Sequence, residues 1–154
     1  MEINELISSQ AIVPNLKSTS KKQALQELAR RLEEIAVESK RTIFDVLMER
    51  ERLGTTGVGN GIAIPHGKVS NIDRLYGLFA RLETPIDFQS IDNQPVDLIF
   101  VLLAPESAGA DHLKALARIS RLLRDTAICK KLRGTDTVDG LYAILTESSE
   151  NQAA

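Results

Sequence analysis

The chain carries two histidines, and both stand where an imidazole could act on a ligand. His66 lies in the stretch GVGNGIAIPHGK, from Gly57 to Lys68, flanked by a rigid Pro65 and a permissive Gly67. A neutral imidazole near pH 7 is a competent nucleophile or general base, because its unperturbed pKa is about 6.5. A hydrogen bond from one ring nitrogen to a backbone carbonyl would fix the tautomer and aim the other nitrogen outward. His112 comes much later, behind Asp111 at the start of a strongly patterned helix, where N-terminal amides favour an anion. Arg50, upstream, offers the forked cation that suits the equatorial oxygens of a transferred phosphoryl group.

Each of these residues also has a plainer reading. A lone histidine is more often structural than reactive, His112 as the first residue of a helix can simply be exposed, and Arg50 can be a solvated end-of-helix residue. Gly57, Gly59 and Gly61 allow positive φ and close backbone approach, and exposed amides in such turns can cradle phosphate oxygens. They equally suit a tight connection between a helix and a strand. A dinucleotide fingerprint follows a strand and opens a helix, whereas here a helix precedes the glycines and a strand follows, so that chemistry is disfavoured. No Lys-Ser/Thr ending marks a nucleotide P-loop either. A zinc site from the two histidines and Asp111 has no further ligand indicated, and no metal is expected. Cys129 falls within an apolar periodicity and reads as a small core residue. Lys114, Arg118 and Arg121 read as the wet side of their helix, and Lys130-Lys131 is too short for a basic patch.

The elements that must position these residues follow from periodicity. Ile3, Leu6 and Ile7 suit a helical turn or two, and Ala11-Ile12-Val13 a short strand stopped by Pro14. Ser20 is expected to cap a helix, with Gln23 completing a capping box and Leu25, Leu28, Leu32 and Ile35 on the buried face. Thr42 is expected to cap a second helix that buries Ile43, Val46, Leu47 and Leu53 and ends at Gly54. Ile62-Ala63-Ile64 is strand-like, and Pro65 cannot continue a ladder, which places His66 at the strand's end. Leu75 to Leu82 alternates, with Tyr76, Leu78, Ala80 and Leu82 sharing a face. Val96 to Leu103 is almost wholly apolar, as a central strand covered on both sides requires. Asp111 is expected to cap a helix with His112 at its first position and Leu113, Leu116, Ala117, Ser120 and Leu123 on its apolar face. Asp125 and Asp136 are expected to cap two further short helices, the last holding Leu141, Ile144 and Leu145. The end of the chain, 148–154, reads as a polar tail. The whole is expected to be a single α/β domain of residues 1–147, a mixed β-sheet flanked by helices on both faces.

Global properties agree. At 154 residues the chain has the size of one domain, and a net charge of −2 argues against a dedicated nucleic-acid binder. A single cysteine excludes an internal disulfide framework. The start, MEINELISSQ, lacks the basic and apolar regions of a signal peptide, and no apolar run approaches a membrane span. A cytoplasmic protein is expected.

RERLGTT from Arg50 to Thr56, followed by GVGNGIAIPHGK, closely resembles the phosphorylation-site region of enzyme IIA domains of the fructose/mannitol class in the bacterial phosphotransferase system. ETPIDFQSIDNQPVDLIFVLLAP (Glu83 to Pro105) and DHLKALARISRLLRD (Asp111 to Asp125) match the same family in the same order. SIDNQP, Ser90 to Pro95, is most similar to the family's nitrogen-regulatory branch, and a chain of this length without a fused permease domain agrees. The resemblance implies a phosphohistidine at His66, with Arg50 and His112 lining the site. It places Thr56 and the loop of Gly57, Gly59, Asn60 and Gly61 where the family contacts the phosphoryl group. It implies a histidine phosphocarrier of the nitrogen branch as donor and no cofactor. The expected output is regulation of targets such as kinases or potassium transporters according to phosphorylation state. Two alternatives are a sugar-transport IIA component that passes phosphate to a permease B domain, and a binding module that uses the glycine loop for a nucleotide or anion without His66 as nucleophile.

Overall fold

A computed structural model describes the backbone of residues 1–153 and the side chains as far as Glu147. Six strands make one mixed sheet: β1 (Ile12–Val13), β2 (Gly57–Gly59), β3 (Ile62–Ala63), β4 (His66–Val69), β5 (Tyr76–Ile86) and β6 (Val96–Pro105). Five α-helices pack on it: α1 (Lys21–Ala36), α2 (Lys40–Arg52), α3 (Ala110–Arg124), α4 (Thr126–Arg133) and α5 (Val138–Ala153). The order is β1-β5-β6-β3-β2, with β4 also paired to β6. This is the mixed-sheet α/β domain that the hydrophobic pattern calls for.

The central strand is β6. Its residues from Leu98 to Pro105 are all buried, which requires cover on both faces of the sheet. On one side it pairs antiparallel with β5, Leu78 opposite Val101 and Ala80 opposite Ile99. On the other it pairs parallel first with β3, Ile62 opposite Leu98, and then with β4, His66 opposite Leu102. The register is continuous across the two, so β3 and β4 act as one strand interrupted at Ile64-Pro65. Pro65 brings no N–H to the ladder, and the interruption follows from that. The expected strand end at His66 is therefore the beginning of β4.

Helix ends are set by small polar residues. Ser20 Oγ accepts from the Gln23 amide at 3.1 Å, as expected, but Gln23 Oε1 reaches back to the amide of Thr19 at 2.7 Å, one residue earlier than a standard capping box. Ser39 caps α2 in place of Thr42, its Oγ accepting from the Thr42 amide at 3.1 Å. Asp125 caps α4 as read from sequence, accepting from Ala127 and Ile128. Ahead of α5 the Thr137 hydroxyl, and not Asp136, accepts from the Gly140 amide at 3.1 Å. Leu53, expected in the core, is 81% exposed beyond the end of α2. α5 continues in backbone to Ala153 where a polar tail was expected from residue 148; the side chains of 148–153, and Ala154 altogether, lie outside the described residues.

The largest departure is the rotation of α3. The helix begins at Ala110 behind Gly109, which takes φ +54, and Asp111 makes no cap. Its buried face is His112, Ala115, Arg118, Ile119, Leu122 and Leu123, whereas Leu113 is 69% exposed. Two apolar stripes overlap in this sequence, and the buried one contains His112 and Arg118. A long aliphatic stem lets arginine cross an apolar layer while its head is paired. Arg118 does so, its Nη2 reaching Glu2 Oε2 at 2.9 Å. Cys129 is buried and donates its thiol to the Leu123 carbonyl at 3.2 Å, a core role.

The glycines between α2 and β3 form the β2–β3 hairpin, closed by Asn60 and Gly61 at positive φ. Gly57 is required by close approach, since a Cβ there would lie 2.3 Å from Ser90 Oγ and 3.0 Å from Ser90 Cα. Gly57→Ala is expected to lower stability in chemical denaturation by about 1–3 kcal/mol, the usual range for overpacking. Adding Ser90→Gly should recover part of that loss, and no recovery would refute the steric cause.

Candidate functional site

Three elements bring Arg50, His66 and His112 together. Arg50 stands in the last turn of α2, His66 opens β4, and His112 lies in the first turn of α3. The β4 backbone fits beneath α2 because residue 67 is glycine; a Cβ there would lie 2.3 Å from Val46 Cγ1.

The Nδ1 of His66 is 2.8 Å from the carbonyl oxygen of Ile64. A carbonyl only accepts, so Nδ1 carries the proton and the lone pair is on Nε2. That carbonyl lies on the side of the chain away from β6, the Ile64 amide donating to the Thr56 carbonyl at 3.0 Å while the Pro65 carbonyl accepts from Leu102 on β6. Arg50 Nε donates to His66 Nε2 at 3.3 Å, in keeping with the same tautomer. A second arm of Arg50, Nη1, donates to the Gly54 carbonyl at 2.8 Å and fixes the guanidinium at the end of its own helix.

His112 meets His66 edge to face, ring centroids 5.8 Å apart at 65°. It is only 9% exposed, and its Nε2 has no hydrogen-bond partner among the described residues. A buried unpaired ring nitrogen is costly and rare. The expectation of an exposed first-turn residue is overturned by the rotation of α3.

Both imidazoles are held below the ordinary histidine pKa. For His66 burial is the main cause; the Ile64 hydrogen bond opposes it, the Arg50 charge adds to it, and the Glu51 charge opposes it. For His112 burial again leads, followed by the charges of His66 and Lys68. Neutral rings at pH 7 result, and a neutral ring is the nucleophilic form.

Thr56 is hydrogen-bonded to Glu51, the residue next to Arg50. Its hydroxyl donates to Glu51 in a very short contact, and its amide donates to Glu51 Oε1 at 3.0 Å. The hairpin is likewise engaged inside the protein. The Gly57 amide donates to Thr55 Oγ1 at 3.0 Å, the Asn60 amide donates to Asp92 Oδ2 at 2.9 Å, and Arg133 Nη2 donates to the Asn60 carbonyl at 2.8 Å. A Cβ at Gly59 would meet Asp92, and one at Gly61 would meet Arg133 and Asp97. Five steps of extended chain, roughly 16 Å at about 3.3 Å each, lead from Gly61 to His66. Sequence reading gave no role to Glu51, Lys21 or Lys68. The first two are paired across a large sequence separation, which no local pattern reveals.

The family model for the phosphoenolpyruvate-dependent sugar phosphotransferase system, EIIA 2, matches residues 5–148. The chain belongs to this enzyme IIA family. It is 59% identical to the nitrogen regulatory protein of Bradyrhizobium diazoefficiens over 145 residues, covering 94% of this chain and 95% of that one. The crystal structure of nitrogen regulatory protein IIA-Ntr from Neisseria meningitidis superposes with TM-score 0.89 at 35% identity, covering 94% and 99%. IIA mannitol from Escherichia coli shares the fold, with TM-score 0.77 at 20% identity and coverage of 90% and 98%. Among the described residues no helix is long and apolar enough to cross a membrane.

The depressed histidines make stability depend on pH in a defined direction. Unfolded, each binds its proton near pH 6.5; folded, only at lower pH. Protons therefore favour the unfolded chain as pH falls below about 6.5, and the loss levels off below the folded values. The denaturation free energy of the wild type should fall more steeply from pH 6.5 towards 5 than that of His66→Gln/His112→Gln. Parallel curves would refute the burial of neutral rings.

Proposed function

We propose that the chain is a phosphoryl-accepting regulatory protein of the nitrogen branch of the phosphotransferase system, with His66 as the acceptor. The observation that supports it most is the Nδ1–H of His66 on the Ile64 carbonyl, which leaves an Nε2 lone pair beside a fixed arginine. Identity of 59% to a nitrogen regulatory protein, against 32% to a fructose-specific component, supports the regulatory reading over the transport one.

In the proposed step a histidine phosphocarrier presents its phosphorylated ring, protonated on the other nitrogen. The His66 Nε2 lone pair attacks phosphorus in line, the donor N–P bond breaks, and the donor leaves as a neutral imidazole. His66 keeps its Nδ1 proton and takes up the positive ring charge, which the Ile64 carbonyl stabilises. The Arg50 Nε–H gives up Nε2 and follows the phosphoryl oxygens. His112 offers its unpaired Nε2 to the same group, and Lys68 adds positive charge nearby. Such catalysis is positioning and electrostatic stabilisation. Both ends are histidine phosphoramidates, so the exchange is reversible. Thr56 and the Gly57, Gly59, Asn60, Gly61 hairpin shape this site from behind.

Leu113, exposed beside His112, and Leu53, exposed beyond Arg50, provide apolar surface for the donor. Phosphorylation adds about −1.5 to −2 charge at such a site, enough to alter a partner interface by repulsion and desolvation. Regulatory targets are accordingly expected to discriminate between the two forms, some of them preferring the unphosphorylated one.

Incubation with the general phosphotransfer enzyme, phosphocarrier and labelled phosphoenolpyruvate should give acid-labile, alkali-stable label that is absent from His66→Ala. Label persisting in that variant sinks the acceptor assignment. Arg50→Ala should slow transfer by about 10²-fold, the scale of losing one charged transition-state donor. Leu113→Asp should raise KM for the donor with little change in kcat. Dephosphorylation driven by a sugar in extracts would favour the transport reading instead.

A further inference from the structure

We propose that Glu51 is a positioning residue for the phosphoryl site, acting through Thr56 and the last turn of α2, with Lys21 as its counter-charge. The inference rests on His66 being the acceptor and concerns what holds Arg50 in place before it.

A buried carboxylate is costly unless it is paired and hydrogen-bonded. The Glu51 side chain is 3% exposed and has such partners: Lys21 Nζ at 2.8 Å, the Thr56 amide at 3.0 Å, and the Thr56 hydroxyl. Lys21 is itself held, its ammonium 4.8 Å from the Phe88 ring centroid and 3.4 Å from Gln89 Oε1. The carboxylate thus ties the end of α2 to the start of α1, and Lys21 carries the link on to the chain after β5.

The same carboxylate closes the turn that carries Arg50. Leu53 and Gly54 donate amides to the carbonyls of Arg50 and Glu51, and Arg50 Nη1 returns to the Gly54 carbonyl. The Glu51–Thr56 contacts span this turn a second time. Arg50 therefore projects from a braced base, with Nε 3.3 Å from His66 Nε2. Displacing a positioned group by about 1 Å can cost 10²-fold in rate without touching the reacting atoms. Lys21 has a further task, since an uncompensated carboxylate behind the site would oppose the arrival of a phosphoryl dianion.

Phosphoryl transfer from the phosphorylated carrier to the full chain, measured by rapid quench, tests this with Glu51→Ala, Glu51→Gln and Lys21→Met. Glu51→Ala should lower kcat about tenfold or more with KM for the carrier within about twofold, as loss of a transition-state alignment requires. Glu51→Gln keeps an oxygen for the Thr56 amide and should recover most of that loss. Lys21→Met should slow transfer and raise the His66 titration midpoint seen by NMR, because the Glu51 charge is no longer offset. A folded Glu51→Ala that transfers at the wild-type rate overturns the proposal, as does a Glu51→Gln no better than Glu51→Ala. If Glu51→Ala does not fold, an unchanged rate and midpoint in Lys21→Met overturn it. Wild-type transfer by Glu51→Ala with no label on His66→Ala removes the positioning role alone; label on His66→Ala removes the acceptor.

Discussion

The structure depends on one interruption of its sheet. Across from β6, the chain pairs as β3, stops for two residues and resumes as β4 without losing register. Pro65 makes the stop by lacking an amide proton. At this stop the Ile64 carbonyl accepts a hydrogen bond from His66 Nδ1. The neighbouring Pro65 carbonyl still accepts from the Leu102 amide at 2.9 Å, while the Ile64 amide, and with it the carbonyl, faces away from β6 towards Thr56. A longer loop would have let the imidazole wander. The imidazole is held in this way while both flanking segments remain fixed to the central strand.

Everything around the imidazole is arranged so that it stays neutral yet meets positive charge. Burial disfavours the charged ring, while Arg50 approaches the bare nitrogen with an N–H it can surrender. The anchoring of Arg50 on the Gly54 carbonyl matters here, because a free arginine would swing to solvent and lose entropy on return. His112 follows the same logic from the other side. Its burial is tolerable only because α3 is turned towards the sheet, and that rotation is also what leaves Leu113 on the outside. A single choice of helix face thus supplies both an unpaired ring nitrogen beside His66 and an apolar residue at the rim.

The parts of this design that lie in local pattern were legible in the sequence. β6 could be read from its apolar run, α1 from Ser20 and its leucines, and the break before His66 from Pro65. The caps at Ser39 and Thr137 were displaced by one to three residues from the expected Thr42 and Asp136, because neighbouring Ser, Thr and Asp side chains compete for the same amides. The face of α3 was misread for a different reason. An arginine and a histidine count as polar in any periodicity, whereas here each is buried by a tertiary partner, Glu2 for Arg118 and the His66 ring for His112. Leu53 and Leu113 failed in the opposite sense, being apolar residues kept outside. Such inversions concentrate around a site, where local preference yields to function.

The glycine-rich segment is packed against the protein on both sides. Its residues suggest an anion cradle, yet the amides of Gly57 and Asn60 are already donated to Thr55 and Asp92. The glycines are needed because Ser90, Asp92, Asp97 and Arg133 press against their backbone. Arg133 in turn pairs with Asp97 on β6 at 2.8 Å and holds the Asn60 carbonyl, tying the hairpin tip to the central strand. At the hairpin's other end the Ile64 amide donates to Thr56, and Thr56 donates to Glu51. The hairpin is therefore a strut, fixed at its tip to β6 and at its base to the last turn of α2. Small residues permit that close packing, and the packing keeps Ile64, and with it the proton of His66, from moving.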